Sequence, residues 1–252
     1  MCGPGLEDWP RAAGVLRGDS AYVFARMRNP APAVLAPGER RRASLAVRLA
    51  IDVACQAVAE AGVPPAELTA LFASSDGDPD TIHSICGAIT EPGYPVSPTR
   101  FHNSVHNAAA GYWSIAVGSR QPSTSLCAYD DSFAVALLDA VVQATVERER
   151  VLLVVSDVAL PPPLDRERPG IAPFGCALIL GPGSPGRHSR ELHLSFNTGG
   201  LTLQWPVNLP GSLRRNAAAR AVVLLHALAL GRPGTAQLPY GPDAHLEFGL
   251  GG

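Results

Sequence analysis

The chain is 252 residues long, 46% hydrophobic and only 17% charged, with a formal net charge of −2 at pH 7. That composition excludes a disordered chain, and the near-neutral balance excludes the basic face of a general nucleic-acid binder. All 20 basic residues are arginines, which excludes a Schiff-base lysine and a P-loop lysine.

Residues 1–38 are rich in Pro and Gly, show neither a basic leader nor an apolar one, and hold one strand candidate at 21–25. Arg40, Arg41 and Arg42 lead into a predicted helix over 44–61, where Leu45, Leu49, Val53 and Ala57 share one stripe. Gly62 and Pro64-Pro65 stop it. A short buried strand is expected at 70–73, closing in Ser74-Ser75-Asp76-Gly77, and a helix at 80–89. The small residues from Ala108 to Gly111 suit a closely packed helix over 107–117, broken before Pro122. A strand at 124–128 then precedes a strong apolar helix over 132–146.

Val151 to Val155 is a continuous apolar run, the kind of strand that is covered on both faces in α/β proteins. After the stiff Pro161-Pro162-Pro163 come strands at 176–180 and 192–196, a helix over 217–230 and a final strand at 245–248. The stretches 181–187 and 231–243 read as loops. Alternating helices and buried strands indicate an α/β class, one domain over 1–252 with a mixed sheet. No stretch reaches the roughly 18 apolar residues of a membrane span. The five cysteines (Cys2, Cys55, Cys86, Cys127 and Cys176) are odd in number and mostly sit in apolar runs, so free thiols are expected, in a soluble cytoplasmic protein.

Three stretches carry a resemblance. The segment from Ser97-Pro98 through Asn107 to Gly111, the turn Gly118 to Pro122, and Asp165-Arg-Glu-Arg-Pro-Gly170 with the strand after it resemble the N-terminal half of β-ketoacyl synthases. Arg40–Arg42, Ser74-Ser75, Ser104-Val-His-Asn-Ala-Ala-Ala-Gly111 and Asp130-Asp-Ser-Phe133 look like a short branch of that superfamily. That branch comprises the chain-length-factor-like proteins of aryl polyene and xanthomonadin-type pigment pathways. There a basic residue usually follows the Ser-Ser pair; here Asp76 does.

The resemblance implies a thiolase-like half fold without cofactor. It also implies a heterodimer with a full-length β-ketoacyl synthase, and an acyl carrier protein as further partner. The strand before the active-site elbow would pair across that dimer, and Thr99, Arg100, Phe101, His102, Val105, His106, Leu126 and Cys127 would line the tunnel or interface. A condensing enzyme needs a cysteine at a strand-to-helix elbow, where the helix N-terminus favours the thiolate. Counted without gaps from Ser97-Pro98, that position falls on Asp130, a feeble acyl nucleophile, and Cys127 lies three residues early. The two histidines of family synthases belong to the C-terminal half, which the resemblance implies this sequence lacks.

For Asp130 itself the plain reading is a helix N-cap; a stand-alone malonyl-carrier decarboxylase or acyl hydrolase using Asp130 with His106, and a polar contact in the partner's tunnel, are the alternatives. His102 and His106 have the spacing of two metal ligands on one helical turn, with His83 and Cys86 in reach as further ligands. Ordinary hydrogen bonding is the stronger reading, and no metal is expected. Arg40, Arg41 and Arg42 read either as a solvated helix start or as a patch for an acidic carrier protein. A carrier-protein scaffold that never touches the acyl chain is the non-enzymatic rival.

Overall fold

The computed structural model describes residues 1–183 and 189–251. A first helix, α1 (Trp9–Arg17), begins where the Asp8 side chain accepts from Arg11 N and ends at the left-handed Gly18. Capping thus makes a helix in a stretch whose Pro and Gly content reads as irregular. No strand forms at 21–25; the run finds no neighbour to pair with, and Val23 and Phe24 are exposed. Next comes α2 (Pro37–Arg42), which carries Arg40–Arg42 on its last turn, apart from the helix that follows. That helix, α3 (Leu45–Ala61), is capped by Ser44 and stopped by left-handed Gly62.

Next come β1 (Thr69–Ala73), α4 (Pro79–Ala88), α5 (Pro98–Asn103), α6 (Ala108–Val117) and β2 (Ser123–Leu126). Then α7 (Ser132–Val142) continues as a wider turn through Glu147. The strands β3 (Val151–Asp157) and β4 (Phe174–Leu180) complete the main sheet, in the order β2-β1-β3-β4. Its first three strands are parallel and β4 is antiparallel to β3, so the sheet is mixed.

The central strands are buried on both faces, as their unbroken apolar runs require. Ala70, Phe72, Leu152 and Val154 pack with α3 and α6, whereas Leu71, Ala73, Leu153 and Val155 pack on the other side with α7. Each large aliphatic side chain buried this way contributes about 1.5–3 kcal/mol.

The C-terminal part holds β5 (Leu192–Thr198), a short helix α8 (Gly211–Arg214), α9 (Val222–Leu230), β6 (Gly234–Pro239) and β7 (Ala244–Leu250). The three strands form a second, antiparallel sheet in the order β5-β7-β6. Residues 234–239 are therefore a strand and not the loop that their flanking Gly and Pro suggest. The other stretch read as a loop, 181–187, lies largely outside the described residues. Leu238, Leu246, Phe248 and Leu250 join the α7-side core, so helices are sandwiched between the two sheets. Outward, Ser195, Glu247 and Gln237 form a polar row, with Gln237 Nε2 donating to Glu247 Oε2 at 2.9 Å. Among the described residues no helix is long and apolar enough to cross a membrane.

Candidate active-site elbow and adjoining cleft

The C-terminal ends of β1, β2 and β3 converge, which in an open α/β sheet is where functional groups gather. Asp157, at the end of β3, is the hub. Its Oδ1 accepts from Ser74 Oγ and Ser75 N, each at 2.7 Å, and its Oδ2 accepts from Ala218 N at 3.1 Å. One buried carboxylate thereby ties the turn after β1 to the segment before α9. Burial pushes its pKa up, against the lowering effect of the Ser74 hydrogen bond.

Beyond β2 the chain turns sharply into α7. Tyr129 takes a left-handed backbone (φ 52°), uncommon for a residue with a side chain. Ser132 locks the turn: its hydroxyl donates to Tyr129 O at 2.7 Å and accepts from Ala128 N at 3.0 Å. The apex of the elbow is thus Tyr129, and Asp130 follows it in a single 3-10 turn.

Asp130 does not cap α7. The N-cap position is Asp131, and neither side chain bonds the helix N–H groups. Arg168 Nη2 instead donates to Asp130 Oδ1 at 2.9 Å, and Arg220 Nη2 lies 3.3 Å from Asp130 Oδ2. Two guanidinium groups at these distances outcompete the weaker partial charge of a helix end. Arg220 also pairs with Asp131, whose Oδ2 accepts from Gly241 N at 2.9 Å. Arg168 is only 8% exposed; its guanidinium stacks 3.8 Å from the Tyr129 ring centroid and its Nη1 lies 3.5 Å from Asp76 Oδ2. Burial raises the Asp76 pKa, and the Arg168 charge partly offsets it.

The geometry leaves little nucleophilic chemistry at this elbow. Both oxygens of Asp130 are engaged by guanidinium groups, and among the described residues no histidine hydrogen-bonds or ion-pairs with it. Cys127 lies just past β2, where its thiol donates to Ser75 O at 3.1 Å. Burial pushes the thiols of Cys2 and Cys55 up to about 11 and that of Cys176 to about 12, the opposite of activation. All five cysteines are free.

Beside the elbow lies a cleft of about 210 Å³, lined by Val47, Phe72, Asp76, Ile82, Val105 and His106 among others. Of the expected tunnel residues it gathers only Val105 and His106. Thr99, Arg100, Phe101 and His102 stand exposed on α5, while Leu126 packs partly against the α7-side core. His102 sits on α5 and His106 in the loop after it, so the two do not share a helical turn. His102 meets Tyr112 edge-on at 6.3 Å, and no group of three metal-ligating side chains occurs among the described residues. Arg168 and Arg220, the partners of Asp130, escape sequence reasoning. Arg168 stands inside the Asp165–Gly170 motif, but nothing local marks either as facing the elbow.

Residues 17–207 match the family model described as beta-ketoacyl synthase, N-terminal domain. The chain belongs to that family. No curated protein sequence matches it. Among solved structures, this member of the synthase family resembles a chain of the ketosynthase (ApeO) in complex with its chain length factor (ApeC) from Xenorhabdus doucetiae. The TM-score is 0.72 at 19% identity, over 98% of this chain and 94% of that one. The ishigamide ketosynthase/chain length factor follows with a TM-score of 0.68 at 11% identity, over 96% and 94% of the two chains. A beta-ketoacyl synthase from Burkholderia phymatum STM815 gives 0.58 at 12% identity, over 91% of this chain and 68% of that one. The likeness is one of fold: the thiolase-like half fold of a ketosynthase, with the mixed sheet flanked by helices.

Proposed function

We propose that this chain is the non-catalytic, chain-length-factor-like partner of a full-length β-ketoacyl synthase in type II fatty acid or polyketide (aryl polyene) biosynthesis. It helps shape the acyl tunnel where the two subunits meet, and an acyl carrier protein delivers the substrate. The observation that carries this reading is the elbow. The strand, the left-handed turn and the helix of a condensing enzyme are all built, yet Tyr129 and Asp130 stand where a thiolate belongs, held by Arg168 and Arg220. Two further observations support it. One similar structure is a ketosynthase in complex with its chain length factor. The edge strand β2 has a neighbour on one side only, leaving a row of backbone groups for another chain.

Incubated with acyl- and malonyl-loaded carrier protein, the purified chain is expected to form no acyl adduct by mass spectrometry and to release no carbon dioxide. Tyr129→Cys and Asp130→Cys are expected to remain inactive in condensation, because a thiol without acid–base partners completes only part of the cycle. Co-expression with its synthase should give a stable 1:1 complex burying at least roughly 2,000 Å². A stable acyl adduct on the unmodified chain, or a monomer that ignores the synthase in size-exclusion chromatography, overturns the proposal.

A further inference from the structure

The two edges of the C-terminal sheet differ. At β6, Tyr240 N donates to Ala244 O, so the outward backbone groups fall on Thr235, Gln237 and Pro239, and the proline has no N–H to offer. The β5 edge carries no such guard. Gly251 N donates to Glu191 O at 2.9 Å and Gly199 N to Asp243 O at 2.7 Å, bracketing the strand. In that register His193, Ser195 and Asn197 exchange backbone bonds with β7, and Leu192, Leu194, Phe196 and Thr198 turn theirs outward. Among the described residues no strand pairs with that side. Edges are normally blunted by a charge, a proline or a bulge. The run Leu192–Thr198 has neither Asp, Glu, Arg nor Pro, and its register with β7 is unbroken. Phe196, whose ring meets Tyr240 edge-on at 5.2 Å, is still 52% exposed.

We infer that β5 pairs with β5 of a second copy of this chain, antiparallel about a two-fold axis at Ser195. That register overlaps the two strands over their whole length; centring on Leu194 or Phe196 leaves an end unpaired. Leu192 then exchanges its outward bonds with Thr198 of the second copy, and Leu194 with Phe196. No charge opposes its like, since Glu191 falls opposite Gly199 and Arg190 opposite Gly200. Each exposed Phe196 gains Leu194 of the other copy as its cross-strand neighbour, while Ser195 meets its own counterpart on the polar face. An isologous pairing of this kind closes on itself and stops at two. The edge lies in a different sheet from β2, so the pairing goes beyond the subunit reading and leaves β2 free for a synthase.

Sedimentation velocity over a concentration series, on the complete chain alone and in complex with its synthase, tests this. The chain is expected to pass from monomer to dimer as concentration rises, and the complex from one copy of each subunit to two. Ser195→Lys and Ser195→Glu each set like charges against each other across the axis and should each weaken the dimer about tenfold. An equimolar mixture of the two variants should restore it, because only there do opposite charges meet. Phe196→Pro removes an outward N–H and no bond to β7, and should abolish the dimer. Thermal melting accompanies that variant, and the exposed Ser195 keeps the test decisive if it unfolds. Ser125→Pro, which alters the β2 edge, should leave the dimer intact. A monomer at every concentration, a dimer indifferent to both Ser195 variants, a mixture that stays monomeric, or a dimer lost in Ser125→Pro overturns the inference. Loss of synthase pairing in Ser195→Lys without any self-dimer gives the edge to the synthase and overturns it too. Pairing with a synthase is scored separately, so this surface and the subunit reading fail independently.

Discussion

At the end of β3 a carboxyl group is fully enclosed and yet serves as the anchor of three chain segments. Asp157 resolves the conflict by collecting donors, from Ser74, Ser75 and Ala218, so the desolvation cost is partly offset by charge-assisted hydrogen bonds. Burial still wins, holding the carboxyl above its ordinary 3.8. Between 3.8 and its folded value the native state keeps a proton that the unfolded chain has released. The stability owed to this group is therefore fully present below 3.8 and falls as pH rises through that interval. Asp157→Asn removes the titration and also sets an amide donor against Ala218 N–H, costing about 1–3 kcal/mol. In urea denaturation at a series of pH values, the wild-type stability minus that of the variant should fall across the interval and level off above it. A difference that rises with pH shows that the hydrogen bonds to the charged form outweigh burial. At the elbow, counting from the Ser-Pro pair lands on Asp130, but its partners are 38 and 90 positions further along the chain. Contacts so remote leave no local pattern to read, and so the capping reading fails there.

Elements were legible where their own chemistry decides them. The helix α3 carries its stripe, its Ser44 cap and its Gly62 stop in the sequence, and β1 and β3 are apolar because they are covered on both faces. The helix α1 has equally local signals in Asp8, Pro10 and Gly18, masked by the surrounding Pro and Gly. By contrast β6 exists because β7 lies beside it, and the run at 21–25 stays irregular because nothing does. The edge position of β2 is likewise a tertiary fact, and it has a consequence for assembly. Ala70 N donates to Pro122 O and Ser74 N to Leu126 O, so alternate residues of β2 face β1. Strand alternation then turns the backbone N–H and C=O of Ser123 and Ser125 outward, away from the sheet. Ser125→Pro removes an outward donor and no bond to β1. The variant should keep the far-ultraviolet circular dichroism of the parent while losing its place in the synthase complex by size-exclusion chromatography. Retention of the complex at parental affinity rules out strand addition at this edge.

The two sheets meet around the elbow. Arg220, just before α9, and Gly241, in the turn between β6 and β7, both bind the Asp130–Asp131 pair, so the C-terminal sheet is fastened to the turn that a synthase would use for chemistry. In the proposed subunit role such a chain acts through the surface that it presents. On that surface α5 is conspicuous: Phe101 is 69% exposed, and among the described residues Arg100 makes only one long side-chain hydrogen bond, 3.4 Å to Asp80 O. Neither side chain holds up the fold, so Phe101→Ala should change the stability of this chain by no more than about 0.5 kcal/mol. An exposed phenylalanine gains most when a partner covers it. In the subunit reading, the segment from Thr99 to His106 reaches the partner's acyl tunnel, where a bulky side chain stops a rigid polyene that cannot bend past it. Phe101→Ala and Arg100→Ala should then leave the complex intact by size-exclusion chromatography and shift its product to longer chains, read as a red-shifted absorption maximum and a higher mass. A weakened complex with unchanged product assigns Phe101 to interface packing alone. An intact complex with unchanged product removes α5 from the control of length and moves it to the cleft of Ile82, Val105 and His106, where Val105→Trp should shorten the product by filling the space.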